Sequence, residues 1–308
     1  MRFLVTGANG DLAEAVSKVL RNYYPNAVID GADAAGVWPG KFYFDRVFIL
    51  PSAIDEDFSD KLKELAQTYD IVIPSTELEI ARVIKDHLIA ELPLLVSVPD
   101  LSGVFLDKFK TVEWLRMRGF QTPKTKLLGL AKDEDLPLLL KPRRASGGRG
   151  QETIRSPERL KLARDEATEE LVAQELLEVV DQEFTCAIFS DGRETRSLVM
   201  QRWLSGDRTS KFVIRDRPEI FQMLEKLAHD VALVGCINVQ FRLMTDGAKI
   251  FEINPRLSST VMMRHLVGFS DLIWWIETSL GRSAPEYNPP CDGATVYRLS
   301  AEKVVYND

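Results

Sequence analysis

Four polar residues near the carboxyl end of the chain have the types and spacing of a magnesium and phosphate site. Gln240, Glu252, Asn254 and Arg256 lie in the segment 237–256, where two runs alternate apolar and polar residues. Carboxylate and amide oxygens are suitable ligands for Mg²⁺ when phosphate oxygens complete its coordination shell. The segment therefore predicts a platform that holds a metal ion and phosphate groups. An ordinary amphipathic hairpin with one solvated face is the alternative.

The elements that position these residues are two strands joined at residues 245–247, Thr-Asp-Gly. A three-residue loop with Gly247 in the left-handed conformation predicts a β-hairpin. Alternation then fixes the register, because a slip by one residue would mix the apolar and polar faces. The predicted pairs are Met244 with Ala248, Phe241 with Phe251, Val239 with Ile253, Gln240 with Glu252, and Asn238 with Asn254.

A second group of candidate phosphate-binding residues lies at the end of the apolar strand 136–141 and directly after it. The strand ends at Lys141. The loop 142–150 contains Ser146, Gly147 and Gly148 together with arginines. Backbone N–H groups and guanidinium groups in such a loop can surround a polyphosphate. The lysine precedes the glycines, so the loop is not of the Walker A type. A mobile, solvated loop is the alternative to phosphate binding.

The amino-terminal third has the pattern of a doubly wound sheet. A short strand at 1–8, a turn with Gly7 and Gly10, and a helical segment at 12–22 form its first unit. Such a turn can hold a dinucleotide when an acidic residue at the end of the second strand binds the ribose. No acidic residue lies clearly at that place, and Asp30 is the nearest candidate. A purely structural unit is therefore the main interpretation.

Ser75, Thr76 and Glu77 directly follow the apolar strand 70–74. Ligands bind at the carboxyl ends of strands in open α/β sheets, so these residues are candidates for a substrate crevice. Alternatively, Ser75 and Thr76 cap the helix that follows, and both interpretations are compatible. The remaining predicted strands are 46–51, 93–98, 171–177, 183–189 and 200–203, and the predicted helices are 56–69, 77–91, 107–119, 157–170 and 218–234.

Composition limits the classes of function. The chain has 308 residues, a formal net charge of −7 and three cysteines without a metal-binding spacing. The length predicts more than one domain, and the acidic balance argues against a nucleic-acid partner. No apolar run is long enough for a signal peptide or a membrane span, so we expect a cytoplasmic protein without a membrane partner. Trp274 and Trp275 are consistent either with a core helix or with the interface of a homodimer.

Taken together, these motifs resemble the ATP-grasp superfamily, and in particular the large subunit of carbamoyl-phosphate synthetase and related carboxylate–amine ligases. The resemblance rests on D-K-x-x-T at 107–111, the strand-lysine-glycine loop, Q-E-L-L at 174–177, N-V-Q-F at 238–241 and F-E-I-N-P-R at 251–256. It implies an α/β and α+β fold, with a Rossmann-like pre-ATP-grasp domain at 1–100. A small lobe with a glycine-rich lid at 101–175 and a large lobe with the metal site at 176–308 would follow.

The resemblance also implies roles for individual residues. Lys108 and Lys141 would contact nucleotide phosphates, and the loop with Ser146, Gly147 and Gly148 would close over them. Gln174, Glu175 and Leu177 would contact adenine, and Glu183 the ribose. Gln240, Glu252 and Asn254 would hold Mg²⁺ or Mn²⁺, and Arg256 would stabilise an acyl phosphate. Arg202 and Arg208 are speculative anchors for a substrate carboxylate.

The expected function is ATP-dependent joining of a small carboxylic acid to an amine. An NAD(P)-dependent reductase that uses the Gly7–Gly10 turn is the alternative from another class. It leaves the glycine loop and the metal platform without a role. A nucleotide-binding regulatory protein without turnover is a third interpretation. The sequence does not identify the acid or the amine.

Overall fold

A computed structural model of the chain describes residues 1–144, 150–178 and 182–299. Ser146, Gly147 and Gly148 of the predicted lid lie outside these residues. The strands are β1 (Arg2–Thr6), β2 (Val28–Asp33), β3 (Val47–Ile49), β4 (Ile71–Ile73), β5 (Thr125–Leu127), β6 (Leu138–Pro142), β7 (Glu152–Ile154), β8 (Leu171–Glu175), β9 (Glu183–Asp191), β10 (Thr195–Ser205), β11 (Arg208–Ile214), β12 (Val234–Met244), β13 (Gly247–Asn254) and β14 (Thr295–Tyr297). The α-helices are α1 (Asp11–Tyr23), α2 (Phe58–Ala66), α3 (Glu77–Lys85), α4 (Pro99–Phe105), α5 (Lys108–Met117), α6 (Pro157–Glu166), α7 (Pro218–Asp230), α8 (Val261–His265) and α9 (Asp271–Ser279).

The amino-terminal sheet is parallel and has the strand order β3-β2-β1-β4. Helix α1 connects β1 to β2 along the chain and buries a continuous apolar stripe. This is the pattern of a doubly wound sheet. The prediction of a strand at 93–98 is wrong in extent. In the structure this segment joins the sheet through an isolated bridge between Val72 and Leu94. The carboxyl ends of β1 and β4 carry the Gly7 turn and Ser75, as the sequence predicts.

The second sheet has the order β5-β8-β6-β7 and presents Lys141 and Gln174. The third has the order β13-β12-β9-β10-β11-β14 and forms the largest layer of the molecule. One face of this third sheet packs against α4, α5 and α7. Its other face packs against α8 and α9 at one end, where Trp274 and Trp275 are buried, so these two residues belong to the core. The rest of that face is polar.

The β12–β13 hairpin confirms three of the five predicted pairs: Asn238 with Asn254, Val239 with Ile253, and Gln240 with Glu252. The three-residue loop and the pairs closer to it are wrong. Met244 pairs with Gly247 and Phe241 pairs with Ile250, because a bulge interrupts the ladder after Gln240. The bulge leaves Phe251 unpaired, and its ring joins the polar residues on the cavity side.

The sequence predicted a strand at 200–203 and no strand directly after it, and the structure differs there. Arg208 and Thr209 begin β11, which pairs antiparallel with β10 across a turn at Gly206 and Asp207. Alternation along 208–214 is weak, because its residues face both the cavity and the core. Arg208 is therefore held at a strand end rather than in an irregular loop. None of the helices in the described part of the chain combines the length and the apolar character that a membrane span requires.

Candidate active site

A cavity of about 780 Å³ lies where the three sheets meet. Every predicted site residue that the structure describes lines it: Ser75, Thr76, Glu77, Lys108, Lys141, Gln174, Glu175, Leu177, Glu183, Arg202, Arg208, Gln240, Glu252, Asn254 and Arg256. These residues are separated by up to 181 positions in the chain, from Ser75 to Arg256. The fold thus brings the sequence motifs to one place.

The hairpin wall of the cavity carries a set of oxygen ligands. The side-chain amide of Asn254 donates to Glu252 Oε1 at 2.9 Å, which leaves the Asn254 carbonyl oxygen for another partner. Gln240 Oε1 accepts a hydrogen bond from Arg202 Nη2 at 2.7 Å. The described residues contain no cluster of three or more His, Cys, Asp or Glu side chains that could hold a metal ion by themselves. One carboxylate with two amides fits Mg²⁺ when phosphate oxygens supply the remaining ligands.

Lys141 is a buried cation that faces this wall. Strand β6 delivers its side chain, which is only 4% exposed, into the cavity. Its Nζ donates to Gln174 Oε1 at 2.8 Å and lies 5.1 Å from the centroid of the Phe251 ring. Burial is the main cause that lowers the pKa of Lys141 to about 8, and the nearby charge of Lys108 acts in the same direction. Glu252 opposes the shift without cancelling it. Such a cation gains from the arrival of an anionic ligand.

The side chain of Gln174 has two partners in the structure. Its oxygen accepts from Lys141, and its nitrogen donates to Thr125 Oγ1 at 3.0 Å. This follows from the strand order, because β8 lies between β5 and β6 and aligns Gln174 with Thr125. The observed geometry makes Gln174 a residue that orients Lys141. Its predicted contact with adenine stays a prediction.

Glu183 is held between two guanidinium groups. Arg202 Nη2 donates to Glu183 Oε1 at 2.7 Å, and Arg242 Nη2 donates to Oε2 at 2.8 Å. Burial by itself would raise the pKa of Glu183, but the two arginines outweigh it and hold the pKa below its usual value. Arg242 also donates to the Leu177 carbonyl oxygen. Sequence reasoning missed Arg242, although it lies two positions after Gln240 and alternation places it on the same face.

Two charge pairs in the cavity join the first residues of α1 and α3 to the third sheet and to the segment that follows β13. Arg256 Nη2 donates to Glu77 Oε1 at 2.9 Å, and Arg208 Nε lies 2.5 Å from Asp11 Oδ2. Thr76 both lines the cavity and caps α3, since its hydroxyl accepts from the Glu79 backbone N–H at 3.2 Å. The capping interpretation is therefore confirmed for Thr76, and its contact with a substrate stays a prediction.

The glycine turn of the amino-terminal sheet is closed by its own contacts. Strand β2 ends at Asp33, not at Asp30, and Asp33 Oδ2 accepts the backbone N–H of Asn9 at 2.9 Å. The N–H groups of Ala8 and Gly10 donate to backbone carbonyl oxygens at 3.1 and 2.9 Å. These three donors are therefore used within the protein. Asp11 also lies in the first turn of α1, where a negative charge disfavours a second anion.

The cavity is thus lined by a buried lysine, by carboxylate and amide oxygens and by several arginines. Comparisons with known proteins show which proteins this chain resembles. A family model described as "ATP-grasp in the biosynthetic pathway with Ter operon" matches residues 166–302, which is less than half of the chain. The carbamoyl phosphate synthase large chain of Pseudomonas aeruginosa is 22% identical over 244 residues, covering 70% of this chain and 22% of that relative. The chain thus spans about a fifth of that relative's length.

Solved structures show the same fold. The N5-carboxyaminoimidazole synthetase of Staphylococcus aureus, complexed with ADP, superposes with a TM-score of 0.76 at 18% identity, over 97% of this chain and 82% of that one. The biotin carboxylase domain of the Hydrogenobacter thermophilus 2-oxoglutarate carboxylase, in complex with MgADP, ADP and bicarbonate, gives 0.72 at 14% identity, over 96% and 73%. The chain therefore shares the fold of these ATP-grasp proteins, and its residues 166–302 are similar to an ATP-grasp family model.

Proposed function

We propose that the chain is an ATP-dependent ligase that activates a small carboxylic acid as an acyl phosphate for attack by an amine. One observation carries this proposal: buried Lys141 and the Gln240, Glu252 and Asn254 wall line the same cavity. A buried ammonium with a lowered pKa, near carboxylate and amide oxygens, suits a polyphosphate with its metal ion.

The proposal divides the chain into an amino-terminal domain at 1–100, a small lobe at 101–175 and a large lobe at 176–308. Lys108 and Lys141 would contact phosphate oxygens of ATP. Main-chain atoms of Glu175 and Leu177 would meet adenine, and Glu183 would accept hydrogen bonds from ribose hydroxyls. The two arginines on Glu183 keep it ionised, so it acts as an acceptor.

Gln240, Glu252 and Asn254 would hold Mg²⁺ or Mn²⁺. When bound, the ion would neutralise the phosphate charge that develops during transfer. The remaining positive charge would come from the chain itself, because Lys141 faces this wall and Arg256 lies two positions beyond Asn254. Phosphoryl transfer needs positioning and charge neutralisation more than covalent chemistry, which agrees with this set of residues.

The proposed reaction has two transfers. A carboxylate oxygen of the acid bonds to the γ-phosphorus of ATP, and ADP leaves. The amine nitrogen then bonds to the carbonyl carbon of the acyl phosphate, loses a proton, and phosphate leaves. Arg256 would stabilise the negative oxygens at both stages. Ser75, Thr76, Glu77, Arg202 and Arg208 are candidates for substrate contact. Both arginines have carboxylate partners, but the Arg208 side chain is 59% exposed and that of Arg202 only 11%, so Arg208 is the more accessible anchor.

Ligand-induced stabilisation tests the proposal against its alternatives. We expect ATP with Mg²⁺ to raise the unfolding temperature and NADPH to leave it unchanged, since the Gly7–Gly10 turn uses its own donors. Stabilisation by NADPH alone would support a reductase and contradict the ligase. ADP release from ATP with a panel of acids and amines then separates a ligase from a regulatory protein without turnover. Stabilisation by ATP with no ADP release under any condition would favour the regulatory protein.

A further inference from the structure

The segment directly after Arg256 forms part of the cavity wall and is held from behind by a buried ion pair. Ser258, Ser259 and Thr260 line the cavity. Arg264 and Asp271 lie behind them, and each side chain is 1% exposed. Arg264 Nη2 donates to Asp271 Oδ2 at 2.6 Å, and Arg264 Nε donates to both carboxylate oxygens at 2.9 and 3.0 Å. The charge of Arg264 is thus balanced within the core.

The remaining terminal nitrogen of Arg264 reaches two hydroxyl groups. Nη1 donates to Ser258 Oγ at 3.0 Å and to Thr260 Oγ1 at 2.9 Å, whereas the Ser258 carbonyl oxygen lies farther from it, at 3.5 Å. The two hydroxyl oxygens are 2.8 Å apart, so one of them donates to the other. Arg264 Nη1, Ser258 Oγ and Thr260 Oγ1 are therefore all within hydrogen-bond distance of one another, and each proton among them can be assigned to an acceptor.

The count leaves one hydroxyl proton without a partner among the described residues. A guanidinium group only donates, so both hydroxyls must accept from Arg264. One proton bridges the two hydroxyls, and the other remains. Thr260 is 2% exposed, whereas Ser258 is partly exposed to the cavity. Leaving an enclosed Thr260 proton unsatisfied would be unfavourable, so Thr260 donates to Ser258. Both lone pairs of Ser258 are then used, and its own proton is free for a ligand.

We propose that Ser258 is a specificity-determining hydrogen-bond donor to an anionic oxygen of the reacting acid, and that Arg264 is the positioning residue that makes its hydroxyl donor-only. This inference rests on the proposed ligase function. Ser258 follows Arg256 by two positions, so a guanidinium and a fixed O–H donor face the same end of the cavity. Both groups donate hydrogen bonds, so together they bind carboxylate or phosphoryl oxygens. They disfavour a ligand that presents a hydrogen-bond donor at the same place.

Two small anions test the proposal without knowledge of the natural acid. Inorganic phosphate is titrated into the protein with ADP and Mg²⁺, and acetate is titrated with a non-hydrolysable ATP analogue and Mg²⁺. We expect Ser258→Ala to raise the dissociation constant of at least one anion about 10- to 100-fold, as for a lost hydrogen bond to a charged group. An effect on phosphate identifies a phosphoryl oxygen as the acceptor, and an effect on acetate identifies a carboxylate oxygen.

Ser279→Ala is the matched control, because Ser279 Oγ donates to the Ile276 carbonyl oxygen within α9 and lies outside the cavity. Unchanged binding of both anions by Ser258→Ala would overturn the proposal, as would the absence of saturable binding of either anion to the wild-type protein. Nucleotide binding is measured first and separately. Failure of ADP with Mg²⁺ to bind would overturn the proposed function, whereas anion binding that does not depend on Ser258 overturns only this inference.

A double-mutant cycle tests the role of Arg264. Arg264→Met with Asp271→Asn removes the guanidinium without leaving a buried charge unpaired, so the protein keeps a route to folding. We expect this double substitution to weaken anion binding when Ser258 is present and to add little in the Ser258→Ala background. An equal fold-change in both backgrounds would assign Arg264 a purely structural role and overturn its part in the proposal. Thermal unfolding of each variant verifies that it is folded.

Discussion

Replacing Lys141 by methionine tests whether this lysine is a buried cation kept for ligand binding at a cost in stability. Burial lowers its pKa from 10.5 to about 8, which corresponds to a cost of roughly 3 kcal/mol for the charged form at pH 7. The substitution removes that cost but deprives Gln174 Oε1 of its donor at 2.8 Å, which is worth about 1–3 kcal/mol. We therefore expect Lys141→Met to be as stable as the wild type at pH 7, or more stable, despite the loss of a buried contact.

The dependence on pH gives the sharper result. Between pH 8 and 10.5 the unfolded chain binds more protons at this lysine than the folded chain does, so the free energy of unfolding of the wild type rises with pH. The contribution of Lys141 between pH 8 and pH 10 is roughly 2 kcal/mol. Other groups also titrate in this range, so the quantity of interest is the difference between wild type and variant. We expect that difference to move by this amount in favour of the wild type as pH rises.

The assay is urea unfolding of the nucleotide-free protein at pH 7, 8, 9 and 10, followed by thermal unfolding with ATP and Mg²⁺ at pH 7. Lys161→Met, on the exposed face of α6, is the matched control and should leave the pH dependence unchanged. Lys141→Met should also lose the stabilisation by ATP. The reasoning is refuted if Lys141→Met shows the same pH dependence as the wild type, or if ATP stabilises both proteins equally.

Two further carboxyl groups should give opposite responses to pH. Glu183→Gln leaves Arg202 and Arg242 facing each other, so we expect a loss of roughly 2 kcal/mol at pH 7. Because the folded-state pKa of Glu183 is lowered, that loss should shrink as pH falls through the carboxyl pKa, and urea unfolding at pH 7 and 4 measures it. Glu79 is buried and its pKa is raised, so the wild type loses stability as pH rises through that pKa. The free energy of unfolding of Glu79→Gln, taken relative to that of the wild type, should therefore be higher at pH 8 than at pH 4. An equal difference between the two proteins at both pH values would contradict this account.

The sequence predicts the hairpin pairs from Asn238–Asn254 to Gln240–Glu252 correctly, because alternation of apolar and polar residues allows only one register there. It did not predict the bulge, since Ile250 and Phe251 are both apolar and no glycine marks the position. Alternation also contained the signal for Arg242, which was overlooked. The motifs around Lys141 and Glu252 are recognisable because each places a charged residue near the carboxyl end of an apolar strand.

Contacts between distant strands could not be predicted. The hydrogen bond between Lys141 and Gln174 depends on the order β5-β8-β6, which the sequence does not specify. The pair Arg256–Glu77 likewise joins the segment after β13 to the first residue of α3, which are far apart in the sequence. The hydrogen bonds of Arg264 to Ser258 and Thr260 require a loop whose conformation follows from the buried ion pair behind it. Local periodicity carries no information on such contacts.

The most direct test of the account is the effect of Mg²⁺ on ATP binding by Glu252→Gln. Titration of ATP by calorimetry, with and without Mg²⁺, measures binding independently of turnover. For the wild type we expect Mg²⁺ to tighten ATP binding, and for Glu252→Gln we expect this gain to fall by about 10-fold, since the only carboxylate among Gln240, Glu252 and Asn254 is removed. Glu225→Gln, on the exposed face of α7, should behave as the wild type. An undiminished effect of Mg²⁺ in Glu252→Gln would contradict the central claim that this hairpin holds the metal ion and the nucleotide phosphates.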